Sequence, residues 1–418
     1  MRGVVARRWR LTWVVTLSVA GLSCGGGSTP TDTSPPVVTP VLTSIAVAGS
    51  STSVVIGNTL QLTATPRDQL GRTMSVAVTW SSASPVVATV SSTGLVTGLA
   101  SGTAAIQASS GSVSGSLIVS VSGPASYVAG QSYYGRNGYI EYVAGNAPVI
   151  LTAPHGGSLT PGTIPDRTAA ACGGSATTVT DVNTQDLVRT MQQRFFARHG
   201  TYPHVVISLL SRRKLDPNRL PTEAACNNSE ALAALDDWHT FIDDAKRAVL
   251  QTSGKGWYMD MHGHGHAIQR LELGYLLTSS DLDRTDAALD ASASFENTSS
   301  IRTLSQFSPL TFSALLRGPN SLGTLYASNG FPAIPSATDP SPNGADYFNG
   351  GDNTVRHSCG GGATGLGGTT NGNVCGVQVE TNFFGVRDTQ ANRERFADAT
   401  ATVLDTYLRV HWNIRLQP

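Results

Sequence analysis

Asp260-Met-His262-Gly-His264-Gly-His266 places three of the chain's nine histidines at alternate positions. It follows Gly256-Trp-Tyr-Met, a short apolar run that reads as a buried strand. Imidazole is the commonest metal ligand among side chains, and open α/β sheets bind ligands beyond their strand ends. His262 is therefore expected to hold a metal ion just past this strand. A plainer reading competes: alternate side chains of an extended segment share a face, so the three histidines could form a solvated edge. Asp260 and the apolar strand favour a site.

Other apolar runs end in chemistry of their own. Ala147-Pro-Val-Ile-Leu-Thr-Ala runs into Pro154-His155-Gly156-Gly157. Residues 204–210 lead into Ser211-Arg-Arg-Lys-Leu-Asp216-Pro-Asn218-Arg219, and Val377-Gln-Val-Glu380 carries a carboxylate amid apolar neighbours. Two histidines on different strand ends plus a carboxylate are the minimum for a catalytic zinc, which keeps a position for water. A glutamate could take that water's proton and pass it to a leaving nitrogen, and Glu380 fits. Arg219 beside Asn218 could clamp a substrate carboxylate with its planar guanidinium, with Arg212 or Arg213 as alternatives. Singly, each residue has an ordinary use: His155 in a turn, Asp181 as a helix cap, Glu380 as a partner for Arg387. Their joint occurrence at separate strand ends points to a site.

The elements that must position them are legible from periodicity. Leu187, Met191, Phe195 and Phe196 recur at helical spacing, with Asn183 or Thr184 as the cap. Residues 230 to about 252 form a second helix, with Leu232, Leu235, Trp238, Phe241 and Ile242 on one face. A closing helix spans about 392–409. Strands alternating with helices over 123–418 predict an α/β fold, a mostly parallel mixed sheet flanked by helices. Its polar clusters would then meet at one sheet edge.

Upstream, residues 41–122 carry short runs rich in Val, Thr, Ile and Ser, punctuated by Gly and Pro. They predict an all-β sandwich with Trp80 as its core aromatic. Residues 25–40 read as a flexible linker. Residues 1–24 have the layout of a secretory signal: Arg2, Arg7, Arg8 and Arg10, then an apolar stretch shorter than the about 20 residues of a membrane span. Leu22-Ser-Cys24-Gly25 reads as a lipoprotein signal, with the membrane as partner through a lipid on Cys24. The alternative is ordinary secretion or a periplasmic location.

Four further cysteines follow Cys24. Export permits Cys172–Cys226 and Cys359–Cys375 disulfides, although spacing alone leaves connectivity open. With 28 basic and 28 acidic residues and no basic patch, nucleic acid is not an expected partner.

Two resemblances emerge. Trp80-Ser-Ser, Val87-Ala-Thr-Val, Gly94-Leu-Val-Thr-Gly98 and Ala100-Ser-Gly-Thr-Ala-Ala-Ile106 resemble the bacterial Ig-like group 2 domain, which implies a spacer or adhesive module at the cell surface. Pro154-His155-Gly-Gly, Asp181 with Thr184, Ser211-Arg-Arg, Asp216-Pro-Asn218-Arg219, Asp260-Met-His262 and Gln378-Val-Glu380 together look like the N-formylglutamate amidohydrolase family, over about residues 135–412. That family is related to zinc carboxypeptidases. The resemblance implies one Zn2+ held by His155 and His262, Asn218 and Arg219 on the substrate carboxylate, and Glu380 as general base. Arg213 joins the expected substrate-binding group. The carboxypeptidase His-x-x-Glu motif has Ser158 at its glutamate position, so the acidic ligand is assigned to Asp181, with Asp166 as runner-up. Asp260 and His264 are expected to support the site, with His266 beside them as pocket lining. The expectation is an exported zinc-dependent hydrolase cleaving a C–N amide bond of an N-acyl or N-formyl amino acid, or of a small peptide with a free carboxylate. A cell-wall peptide carboxypeptidase and an inactive surface adhesion or binding protein are the alternatives.

Overall fold

The computed structural model describes residues 39–123, 126–359 and 372–416. The expected signal, Cys24 and nearly all of the linker lie outside them. Among the described residues, no helix is long and apolar enough to cross a membrane. The chain divides into two units, each described by itself.

The N-terminal region forms two four-stranded sheets. One has the order Leu42–Gly49, Thr59–Asp68, Leu95–Gly98, Ala88–Val90; the other runs Ser53–Val55, Val113–Ser122, Gly102–Ser110, Thr79–Ser82. Alternation does what it predicts. In Gly102–Ser110, Ala104, Ile106 and Ala108 are buried while the residues between them are not. Trp80 corrects the expectation: it is half-buried. Small side chains, Ala88, Ala104 and Ala108, fill the centre. The indole instead packs over Gly94, where a Cβ would come 2.8 Å from its ring.

The C-terminal region is built on one eight-stranded sheet. Its strands are β1 (Ser132–Tyr134), β2 (Ile140–Val143), β3 (Val149–Ala153), β4 (His204–Ser208), β5 (Gly256–Gly263), β6 (Leu271–Gly274), β7 (Ala333–Ile334) and β8 (Val374–Thr381). They lie in the order β7-β6-β8-β5-β3-β4-β2-β1. The central four, β4, β3, β5 and β8, are parallel. β2 runs antiparallel to β4, and β6 antiparallel to β8. This is the mixed, mostly parallel α/β sheet expected. The central strands are buried along nearly their whole length, so they read as apolar runs rather than as alternation.

Three long helices cover the sheet: α1 (Thr184–His199), α2 (Ser229–Ser253) and α3 (Gln390–Trp412). Leu187, Met191 and Phe195 of α1 and Phe396, Val403 and Leu404 of α3 share a core with Leu151, Trp257, Met259 and Val377. Trp238, Ile242 and Ala245 of α2 pack with the opposite parity, on Ile150, Val206 and Tyr258. Neither expected cap of α1 works as one. Asn183 makes no side-chain cap bond and donates instead to the Arg387 carbonyl at 2.9 Å. Thr184 Oγ1 donates to the Asp181 carbonyl at 2.8 Å. Both allowed disulfides are formed, Cys172–Cys226 and Cys359–Cys375.

Candidate metal centre

Parallel register brings the strand ends together. His155 follows β3, Asp216 and Asn218 follow β4, His262 is the penultimate residue of β5, and Glu380 lies near the end of β8. The strand of His262 is longer than expected. It runs to Gly263, so only His264 and His266 lie past its end. His262 is the cross-strand partner of Glu380, and the two share a face. Two glycines allow the close approach. A Cβ on Gly157 would sit 2.1 Å from the Leu210 carbonyl, and one on Gly263 would sit 2.3 Å from the Arg387 guanidinium carbon.

His155, Asp181 and His262 converge, each at most 7% exposed, with donor atoms within 4.8 Å of one another. Asp181 Oδ2 stands 3.2 Å from His155 Nδ1 and 3.4 Å from His262 Nδ1. Each ring's other nitrogen meets its own buried carboxylate: His155 Nε2 lies 2.6 Å from Asp216 Oδ1, and His262 Nε2 lies 2.9 Å from Asp260 Oδ2. A carboxylate accepts, so it fixes the proton on Nε2 and leaves Nδ1 as a lone pair. Two imidazole lone pairs and a carboxylate oxygen then face one another, an arrangement that repels unless a cation or proton sits between them. The donor set therefore fits a metal ion of the zinc type, with the carboxylate–histidine orientation usual behind such ligands.

The electrostatics follow from burial among opposite charges. Burial opposes charge on the His262 ring, but Asp260, Asp181 and Glu380 outweigh it and hold the ring well above the usual imidazole range. Burial would raise Asp181, yet His155 and His262 hold it well below the carboxylate range. Asp216 is likewise lowered against its burial by His155, Arg212 and Arg167. Glu380 goes the other way. Burial, with Asp181 and Glu272 nearby, pushes it up to about 7 against the opposing pull of His262 and Arg212. Its Oε1 accepts from Gln378 Nε2 at 2.9 Å and lies 3.9 Å from His262 Nδ1.

Asn218 stands at the centre. Its Nδ2 lies 3.5 Å from His262 Nε2 and 3.3 Å from Gln378 Oε1, and its Oδ1 accepts the Asn353 N–H at 2.8 Å. Arg219 donates to the Asn218 carbonyl at 2.9 Å and approaches Glu223 at 3.9 Å. It lines a cavity of about 40 Å³ with Leu220, Pro221, His239, Asp352 and Arg356. Arg213 and Asp166 are not part of the cluster. They pair with each other at the surface, and Asp166 also takes Lys214 Nζ at 2.9 Å. An exposed carboxylate beside two cations already has its charge answered, which removes Asp166 as an alternative to Asp181. Asp260 stands beside His262 Nε2, and its Oδ1 accepts from Thr152 Oγ1 at 2.6 Å. His264 bonds to none of the cluster's donors: its Nε2 donates to the Arg270 carbonyl at 2.8 Å. Burial lowers its pKa. Arg387 bonds the carbonyls of Val182, His264 and Thr381 rather than Glu380.

Two further residues complete the centre: Asp216, which had no expected role, and Arg212, expected only as an alternative clamp. Asp216 orients His155. Arg212 bridges carboxylates, its Nε 3.0 Å from Asp216 Oδ2 and its Nη1 3.5 Å from Asp181 Oδ1. The guanidinium at the centre is thus Arg212. Both residues sit in the polar loop after β4, which also carries Asn218 and Arg219.

A family model described as bacterial Ig-like domain (group 2) matches residues 41–121. "Ice-binding protein 1" of Shewanella frigidimarina (strain NCIMB 400) is 39% identical over 86 residues, which are 20% of this chain and 10% of that protein. The chain thus spans about a tenth of that relative's length. Domains 5–6 of the S-layer protein SbsC are 24% identical over 25% of this chain and 61% of theirs, with a TM-score of 0.20. An N-formylglutamate amidohydrolase from Ralstonia eutropha JMP134 is 10% identical over 63% of this chain and 93% of its own, with a TM-score of 0.35.

Proposed function

We propose that the C-terminal region is an exported, metal-dependent amidohydrolase acting on the C–N amide bond of an N-acyl amino acid, or of a small peptide with a free carboxylate. One observation carries this reading: two histidines from separate strand ends turn Nδ1 toward one buried carboxylate, each backed by its own aspartate, with Glu380 in the adjoining strand. His155, His262 and Asp181 would hold one Zn2+. Zinc bound there supplies Lewis acidity and lowers the pKa of its water to about 7. Glu380 would accept a proton from the attacking water and return it to the leaving nitrogen, a role suited to a carboxyl raised to about 7. His155 and His262 hold Asp181 ionised, His155 and Arg212 hold Asp216 so, and Asp216 and Asp260 keep both rings in the ligating tautomer. The substrate carboxylate is assigned to Asn218 and Arg219, neighbours in the loop after β4. Export is supported by the disulfides, which persist in oxidising compartments, and by the Ig-like domain.

A second reading, a surface binding protein with a silent hydrolase-like region, draws on the Ig-like match and the relative named as ice-binding. A panel of N-formyl and N-acyl amino acids and cell-wall peptides, assayed with and without chelator, separates the two. Chelator-sensitive turnover supports the hydrolase, and preference for cell-wall peptides would make it a carboxypeptidase. Full activity after chelation, or after replacing both His155 and His262 with Ala, overturns the metal centre. Protein that binds no zinc and hydrolyses nothing supports the binding module.

A further inference from the structure

The segment that supplies His262 carries two more histidines, and β6 brings a second carboxylate to them. Glu380 is paired with His262 on one side and with Glu272 on the other. The three side chains therefore stand in one rung across β5, β8 and β6. Glu380 and Glu272 are 5% and 1% exposed, and like charges directly opposite one another are destabilising. No arginine or lysine ion pair to Glu272 occurs among the described residues. Its Oε2 accepts the Phe348 N–H at 2.8 Å, while its Oε1 faces His266 Nδ1 at 2.8 Å and His264 Nδ1 at 3.9 Å.

These three donor atoms lie within 4.8 Å of one another, and each is already oriented. His264 donates its Nε2–H to the Arg270 carbonyl at 2.8 Å, which leaves Nδ1 as the acceptor nitrogen. The His266 ring stacks on Phe348, with centroids 4.6 Å apart. Phe348 thus holds both Glu272 and His266, one through its backbone and one through its ring.

We infer that His264 Nδ1, His266 Nδ1 and Glu272 Oε1 form a second site for a divalent transition-metal ion, distinct from the centre at His155, Asp181 and His262. Two imidazoles and one carboxylate suit zinc or ferrous iron better than magnesium or calcium. Binding displaces the 3.2 Å bond from the His266 backbone N–H to His264 Nδ1. It also moves the His266 ring proton from Nδ1 to Nε2. The ion answers the charge of the buried Glu272 carboxylate, which faces His266 Nδ1 at 2.8 Å.

The test counts metal in the full chain, stripped with chelator, re-equilibrated with zinc alone and measured by mass spectrometry. Two zinc ions per chain are expected in the unaltered protein. One is expected in His266→Ala and in Glu272→Gln, and one in the His155→Ala, His262→Ala double variant. His266 is only partly buried in a loop, so its variant should keep the fold, checked by circular dichroism. A single zinc that survives both His266→Ala and Glu272→Gln overturns the second site and leaves the first standing. A single zinc lost in His266→Ala but kept in the double variant overturns the first centre and leaves the second.

Discussion

Both regions bury an apolar core, but they differ in the polar side chains they bury beside it. The Ig-like domain closes over Ile45, Leu62, Val96, Ile106 and Val119. Among its described residues Asp68 is the one buried polar side chain, and Arg72 answers it at 2.8 Å. The α/β region buries His155, Asp181, Asp216, Asp260, His262, Glu272 and Glu380 around one sheet edge. Apolar burial stabilises at about 25 cal/mol per Å², whereas each buried ion costs several kcal/mol before its partners offset it. A fold needs the first kind of interior. The second is concentrated where perturbed ionisation serves chemistry.

That contrast sets the expected effects of mutation. Replacing His155 and His262 with Ala should abolish chelator-sensitive hydrolysis and remove the zinc of that centre, while the Ig-like domain melts as before. Both are read by metal content and by domain-resolved unfolding. Glu380→Gln should lower kcat by about 10²–10⁴-fold, the usual range for a lost general base, with His155-centre zinc retained. Loss of that zinc instead would make Glu380 a ligand. Ile106→Ala should cost the Ig-like domain about 2–5 kcal/mol and leave turnover untouched, measured by denaturant unfolding. Trp80→Ala should cost less despite its larger volume, because the indole is only half-buried. Asp216→Asn should weaken zinc binding about 10–100-fold by releasing the His155 tautomer.

The smallest effect is a pH dependence. Glu380 must be ionised to act as base, so kcat/KM should rise with pH through about 7, and Glu380→Gln should flatten that limb. The same shift bears on stability with the opposite sign. A carboxyl raised on folding contributes stability that is complete below the ordinary glutamate range and is lost as pH rises through about 7. Stability that instead climbed over that interval, in a variant lacking the other site histidines, would contradict the burial of Glu380 in its uncharged form.

Much was legible along the chain. Apolar runs marked β3, β4 and β5 because central strands are buried on both faces. Helical spacing marked α1, α2 and α3 because one stripe of each faces the sheet. The short strands β1, β6 and β7 were not legible, since two to four residues carry too little periodicity to stand out.

The sequence by itself determined the order of elements, the Ig-like region, and the set of strand ends bearing His155, Asn218, His262 and Glu380. These are local properties, written in composition and spacing over a few residues. Only the tertiary structure brought Asp181 rather than Asp166 beside His155 and His262, placed Asp216 and Arg212 around them, and set Glu272 against Glu380. Those choices depend on register between strands far apart in the chain, such as His262 against Glu380 and Glu272 against Glu380. A carboxylate becomes a ligand, a surface ion pair or a backing group according to what the fold brings within about 3 Å of it.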